Sequence, residues 1–451
     1  MTPELNPSRG PRPRVRALLL SLLALVLSVT VAGPASAATT AAASREYLVA
    51  VDARAEAIHV YRTNSLKHTG TLSGVEVGTH AGTIQLPDGR LILVDDKAGE
   101  VIAVKINAQG RPKIVDRVKI PGTEWAGAIW AATDAKQRYY AVSGGEEGDT
   151  QSVTLVDLKT FAVHHVQISV APDSAGNISE TQVYLAGRPL QLVVTTGGSF
   201  QTLPVAGIVA GTTPSVTSTA PLGAGNHGPV AARDGNAVFS TTADGFDGAQ
   251  ITRSTLGASR SVAYSTTRNV VQNYRPRLAV DGRTVWGSAA EDTGLSAADW
   301  ADTRNNVNVI DTSTFTSALV RLPDGSASRF ALSKPYGAVS TIHPDGDALT
   351  LVDTQRGSPT YRRVVGTVAL PASTGGPQPG VPTTGTQGHF VALNPSGSQA
   401  YVTNGGDGII TVVDTSTRRV VRTIDTPTAL LGGGYLTVVK KGTPISDLIA
   451  R

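Results

Sequence analysis

"HFVALNPSGSQAYVTNGGDGIITVVDTSTRRVVRTID", His389 to Asp425, reads as four short strands separated by tight reversals. His389–Asn394 reads as a short first strand. Asn394-Pro-Ser-Gly-Ser398 is turn chemistry: Pro presets φ, Gly accepts a positive φ, and Asn and Ser bond nearby backbone. Gln399–Thr403 is a second strand, Ile409–Asp414 a third and Val420–Asp425 a fourth, rich in β-branched residues and bounded by Gly, Asn or Asp.

The same pattern recurs along the chain. "HAGTIQLPDGRLILVDDKAGEVIAVKI" begins at His80, "AIWAATDAKQRYYAVSGG" at Ala128 and "TQVYLAGRPLQLVVTTGG" at Thr181. "HGPVAARDGNAVFSTTADG" begins at His227, "YRPRLAVDGRTVWGSAA" at Tyr274 and "YGAVSTIHPDGDALTLVDT" at Tyr336. The starts lie about fifty residues apart, the span of one four-stranded propeller blade. The sequence from Glu46 begins with strands that lack a first-strand partner, and the chain ends on an orphan strand, Gly432–Val439. That last strand can become the innermost strand of the first blade and remove an open edge. The expected fold is therefore all-β: an eight-bladed β-propeller closed by its C-terminal strand. Seven blades is the alternative, because the blade from Tyr336 to about Ala372 has a poorly defined outer half. A β-helix or tandem sandwiches are competing arrangements.

"AYVTNGGDGIITVVDTSTRRVVRTI", Ala400 to Ile424, resembles the YVTN-type β-propeller repeat. Such propellers include surface proteins, binding proteins and relatives of the d1-haem domain of nitrite reductase. The blades "THAGTIQLPDGRLILVDD", "NHGPVAARDGNAVFST" and "GHFVALNPSGSQAYVTN" are similar to those of periplasmic propeller zinc chaperones that serve zinc importers. The chain has no dense His-rich loop of the kind expected of those chaperones. The resemblance implies a propeller outside the cytoplasm, zinc as cargo, and a metal-transport binding protein or other envelope protein as partner.

Residues 1–37 read as a secretory signal: Arg9, Arg12, Arg14 and Arg16, the apolar run Ala17–Val31, and the cleavage site Ala35-Ser36-Ala37. A linker over 38–45, a propeller over 46–440 and a tail over 441–451 complete the expected organisation. The apolar run is shorter than the ~20 residues that span a bilayer, so no membrane span is expected after cleavage. The localisation implied is secreted: extracellular, cell-wall or periplasmic. The signal's four Arg and one Glu carry +3 of the formal +4, leaving +1 on the mature chain, which removes electrostatic support for nucleic-acid binding. The sequence has no Cys, and Met1 is its only methionine. Stability must come from a large core without disulfides, and thiolate or thioether metal sites are excluded by inventory.

In a propeller the head of each innermost strand and the loop between second and third strands share one face. Aligned on the first-turn glycine, His389 lies eight residues before Gly397, His227 eight before Gly235, and His80 nine before Gly89. Ala128, Ser179, Tyr274 and Ala338 take this register in other blades, with Trp125, Glu180, Arg275 and Tyr336 close by. Three imidazoles at one register, on blades two, five and eight, suggest a divalent-metal site at the channel mouth, with zinc the expected ion. Glu180 or Glu124 is a candidate fourth ligand or orienting partner. Acidic loops carrying Glu146, Glu147, Asp149, Asp244, Asp247, Glu291, Asp292, Asp299, Asp302 and Asp407 would surround it and raise local cation concentration. The bland alternative is that each His fills a strand-start position and bonds neighbouring carbonyls or water. His164 and His165, adjacent on an outer strand, point to opposite faces. His59 and His68 read as exposed, and His343, in the turn "HPDGD", as lying on the opposite face. "DGFDG" and "NGGDG" lack a full calcium loop and read as turns.

The expected function is a secreted, non-enzymatic, monomeric propeller that binds a divalent metal, zinc, through His80, His227, His389 and Glu180. The alternatives are a plain protein-binding or envelope surface propeller, and a metal-dependent lactonase-like hydrolase.

Overall fold

Successive strands pair antiparallel from Glu46 to Lys440, in a computed structural model that describes residues 45–78, 82–121, 128–144, 150–169, 181–196, 198–223, 226–242, 245–252, 255–263, 270–291, 301–372, 388–431 and 435–443. Residues 1–44 and 444–451 lie outside the described residues. The signal segment and most of the expected tail therefore fall outside them.

The strands build eight four-stranded sheets. Seven use four consecutive strands, beginning innermost with Ile84–Gln85, Ala128–Thr133, Gln182–Ala186, His227–Ala231, Val270–Leu278, Ser326–Leu332 and Val391–Leu393; these are blades 2 to 8. Blade 1 is closed by the last strand, Tyr435–Lys440, which pairs antiparallel with Glu46–Asp52 in the register Val49↔Thr437. The protein is an eight-bladed β-propeller whose C-terminal strand completes the first blade.

Eight apolar clusters lie among the described residues, one at each blade-to-blade interface. Both faces of the inner and middle strands are buried, so these strands read as nearly continuous Val, Ile, Leu and Ala. Outer strands such as Arg419–Asp425 are largely exposed. The third strand of several blades ends in an Asp that organises the following turn. Asp157 accepts the Lys159 and Thr160 amides, both at 2.8 Å, and Asp311 accepts those of Ser313 and Thr314 at 3.0 and 3.2 Å. Burial raises the Asp311 pKa, but these hydrogen bonds, the Ser313 hydroxyl and nearby Arg356 outweigh it and hold the carboxyl at about 2.

Blade 7 corrects the reading of "YGAVSTIHPDGDALTLVDT". Its first strand is Ser326–Leu332, and Tyr336–Ile342 is its second. The first turn, Ser333-Lys-Pro-Tyr336, has no glycine, whereas the second carries Gly346 at φ +137°. Alignment on the glycine therefore displaced this blade by one strand. Its outer half is complete, with Ala348–Asp353 and Val364–Ala369 paired.

Candidate binding sites at the channel mouth and in the channel

Strand polarity places the heads of the inner strands and the second-to-third-strand turns on one face. Gly89, Gly235 and Gly397 all have positive φ, at +88°, +71° and +70°, so the first turns of blades 2, 5 and 8 are equivalent.

His389 stands two residues ahead of the inner strand of blade 8 and is fully buried. Its Nδ1 lies 2.7 Å from the Thr403 carbonyl oxygen, and its Nε2 lies 2.8 Å from Asp347 Oδ2. A carbonyl can only accept, so Nδ1 carries hydrogen and Nε2 is presented to the carboxylate. Asp347, 4% exposed, also accepts the His343 amide at 3.1 Å. The Ser340 hydroxyl donates to the His389 carbonyl at 2.8 Å. These bonds tie blade 7 to blade 8.

The placement corrects a second reading. The turn His343–Asp347 joins the second and third strands of blade 7, so it shares the face on which His389 stands. Asp347 escaped notice in the sequence for that reason. Ala338 and Tyr336, aligned with His389 in the sequence, belong to the second strand of their blade.

His227 opens the inner strand of blade 5, opposite Thr241, and the register shifts between His227 and Pro229. Gly228 forms this bulge at φ +80°; a Cβ there would lie 2.8 Å from Pro276 Cδ and 3.0 Å from Trp130 Cη2. Its amide donates to Gln182 Oε1 at 2.5 Å. Residues of blades 3, 4, 5 and 6 thus meet at this bulge, and the His227 side chain itself lies outside the described ones.

His80, Glu180, Glu124, Trp125 and Ser179 lie outside the described residues, as do Glu146, Glu147, Asp149, Asp244, Asp292 and Asp299. Asp247 is buried and accepts the Gly223 amide at 2.6 Å, while Asp302 is exposed. Among the described residues, no group of three or more His, Cys, Asp or Glu is placed to hold a metal ion.

His59 is a third correction: it is 1% exposed, with Nδ1 2.9 Å from Thr71 Oγ1 and Nε2 2.9 Å from Thr428 Oγ1. Hydroxyls donate or accept, so a neutral ring is satisfied on both sides. Desolvation pulls its pKa below the ordinary 6.5, the nearby His68 adds to this, and Asp52 opposes it. The unfolded chain therefore binds a proton that the folded chain refuses. Stability should fall as pH drops below the unfolded His value of about 6.5, by at most about 1.4 kcal/mol per pH unit from this group. Thermal unfolding of His59→Gln across pH 5–7 should show a shallower decline than wild type; an identical slope would contradict this. His68 is exposed, and His164 and His165 are half-buried on their outer strand.

The inner strands also enclose a cavity of about 500 Å³ along the axis, whose lining includes Arg277, Leu278, Leu393 and Leu436. Its arginines, Arg233 and Arg277, were not singled out from the sequence, because a blade gives no sign of which positions face the axis.

Solved structures share this architecture. AztD from Citrobacter koseri, in its apo form, superposes with a TM-score of 0.59 at 12% identity, covering 89% of this chain and 99% of that one. Dihydro-heme d1 dehydrogenase NirN in complex with DHE gives 0.57 at 15% identity, covering 88% and 75%. The periplasmic gluconolactonase PpgL of Pseudomonas aeruginosa gives 0.50 at 14% identity, covering 73% and 97%. At such identities the likeness establishes the β-propeller fold. No protein-family model matches the sequence, and no curated protein does. Among the described residues, no helix is long and apolar enough to cross a membrane.

Proposed function

We propose that the chain is a secreted or envelope β-propeller that takes up a divalent cation, zinc, at its channel mouth and passes it to an envelope partner such as a metal-transport binding protein. The observation that carries this reading is the pairing of His389 and Asp347. A metal-binding imidazole commonly donates its second ring N–H to a carbonyl, as Nδ1 does to Thr403. Nε2 and the Asp347 carboxylate then form a nitrogen–oxygen donor pair of the kind zinc accepts. His80, His227 and Glu180 are proposed as the further ligands. The hydrogen shared by Nε2 and Asp347 gives way to the cation in this reading, so uptake releases a proton and is opposed by acid. The likeness of the His-led blades to propeller zinc chaperones points the same way.

Isothermal titration of metal-free protein should show about one zinc equivalent, and the triple change of His80, His227 and His389 to Ala should abolish it. Asp347→Asn keeps a polar partner for the ring while removing the charge, and should weaken uptake at least tenfold. Absence of specific zinc uptake by the wild type would overturn the proposal.

One observation favours a second reading, a plain protein-binding propeller. His389 is fully buried with both ring nitrogens engaged, the arrangement expected of a tie between blades. That reading expects partner capture to survive chelation and Asp347→Asn to alter stability alone.

A further inference from the structure

Five blades place a residue with left-handed backbone one or two positions ahead of the outer strand. In blades 1, 3 and 6 it is Leu66, Phe161 and Phe315, at φ +56°, +57° and +55°. Each packs into the apolar cluster shared with the preceding blade of the ring and closes the outer end of that seam. Blades 7 and 8 break the pattern, with Arg362 at φ +61° and Arg418 at φ +57°. A guanidinium is costly to bury in such a cluster. The seam between blades 7 and 8 stays open as a cleft of about 520 Å³, lined in part by Arg418. Third turns share a face with first turns, so this cleft lies opposite the channel mouth.

Gly366, in the outer strand of blade 7, makes room for the Arg418 stem. A Cβ there would overlap Arg418 Cδ and lie 2.9 Å from its Nε. The Arg418 guanidinium has no hydrogen bond or ion pair among the described residues. Its surroundings are positive. The segments 353–365 and 414–422 hold six Arg and two Asp, a net +4, whereas the whole chain after residue 37 carries +1. Arg356 pairs with Asp311, and Arg422 donates to the Ser65 carbonyl at 3.4 Å. Arg362, Arg363, Arg418 and Arg419 have no carboxylate partner among the described residues.

The one carboxylate in the described lining, Asp353, is 5% exposed and engaged by its own turn. It accepts the Gln355 amide at 2.7 Å, the Thr360 hydroxyl at 2.6 Å and the Ser358 hydroxyl. Burial raises its pKa, but these bonds outweigh burial and hold the carboxyl below its usual range. Both hydroxyl hydrogens are thus committed to Asp353, so Ser358 and Thr360 offer a ligand oxygen lone pairs. Arg418 offers donors only. The lining therefore matches a ligand with an anionic group at one end and O–H donors at the other.

We propose that the cleft between blades 7 and 8 binds a hydroxylated carboxylate of the uronic-acid type. Arg418 receives its carboxylate, and Gln355, Ser358 and Thr360 receive its hydroxyls. The cleft's volume falls within the range of small-molecule sites, and the neighbouring guanidiniums raise the local concentration of anions.

The test is isothermal titration of the metal-free, full-length mature protein at low ionic strength with glucuronate, glucose, acetate and inorganic phosphate. Glucuronate is expected to bind with a Kd of about 1 mM or below, and the other three at least tenfold more weakly. Arg418→Phe supplies the residue that blades 3 and 6 carry at this position. It should weaken glucuronate binding tenfold or more without lowering Tm. Arg418→Lys keeps the charge without the planar fork, and should weaken binding several-fold. Glucuronate binding no tighter than glucose or acetate would overturn the proposal, as would unchanged binding by Arg418→Phe and Arg418→Lys. Phosphate binding as tightly as glucuronate would overturn the carboxylate assignment. The cleft and the mouth lie on opposite faces and the protein is metal-free, so the outcome is independent of zinc uptake.

Discussion

Ending the chain at Leu431 is expected to abolish the folded monomer. The change removes the strand Tyr435–Lys440, whose Tyr435, Leu436, Val438 and Val439 are at most 5% exposed. Each buried side chain of this size contributes about 1.5–3 kcal/mol, so the four together contribute about 6–12 kcal/mol. That is comparable to the whole stability of an ordinary domain, about 5–15 kcal/mol. The loss extends beyond burial. Glu46–Asp52 becomes an unpaired edge, and such an edge recruits other chains. Gln85 of blade 2 loses the Lys440 and Thr443 carbonyls, to which its amide donates at 2.6 and 2.7 Å. Size-exclusion chromatography and circular dichroism should show aggregated or unfolded protein. A synthetic peptide covering 432–451 should restore part of the folded signal. A truncated monomer with wild-type Tm would show that strand closure does not hold the ring.

Replacing Asp347 by Ala should lower the unfolding free energy by about 3–5 kcal/mol, the usual result of removing one member of a buried ionisable pair. His389 Nε2 then faces a buried site without its partner, and the His343 amide loses its acceptor. Asp347→Asn retains an oxygen for that amide, and should cost only about 1–2 kcal/mol. Urea unfolding of the two variants separates these values. A change within about 0.5 kcal/mol for Asp347→Ala, typical of surface positions, would mean that the pair does not tie blades 7 and 8.

The blade pattern was legible because each blade repeats the same local chemistry, and local chemistry is what a sequence displays directly. Pro, Gly and Asx residues mark reversals wherever they occur, and Gly89, Gly235 and Gly397 adopt the positive φ that their position in the turn requires. Ring closure followed from counting strands, since an orphan at each end has one obvious partner. Blade 7 shows where this reading fails. Its first turn, Ser333–Tyr336, is organised by the Ser333 hydroxyl, which accepts the Tyr336 amide at 3.3 Å, so it needs no glycine.

Side-chain destinations were less legible than strands. His389 was recognisable by its register, but its partner Asp347 lies on the preceding blade, 42 residues earlier. Nothing local to either residue records that meeting. His59 occupies an alternating strand where a polar residue reads as solvent-facing. Its burial depends on Thr428, which the closing connection brings in from 369 residues away. Arg233 and Arg277 were hidden for a related reason: the axis of a propeller is defined by the whole ring, and no single blade shows which of its positions line the cavity there.

X-ray absorption at the zinc edge, on protein loaded with one equivalent, tests the proposed function most directly. The account predicts a shell of nitrogen and oxygen only, with imidazole scattering that is lost in the variant lacking His80, His227 and His389 and altered by Asp347→Asn. An all-oxygen shell without imidazole scattering, or a spectrum unchanged by these substitutions, would contradict it.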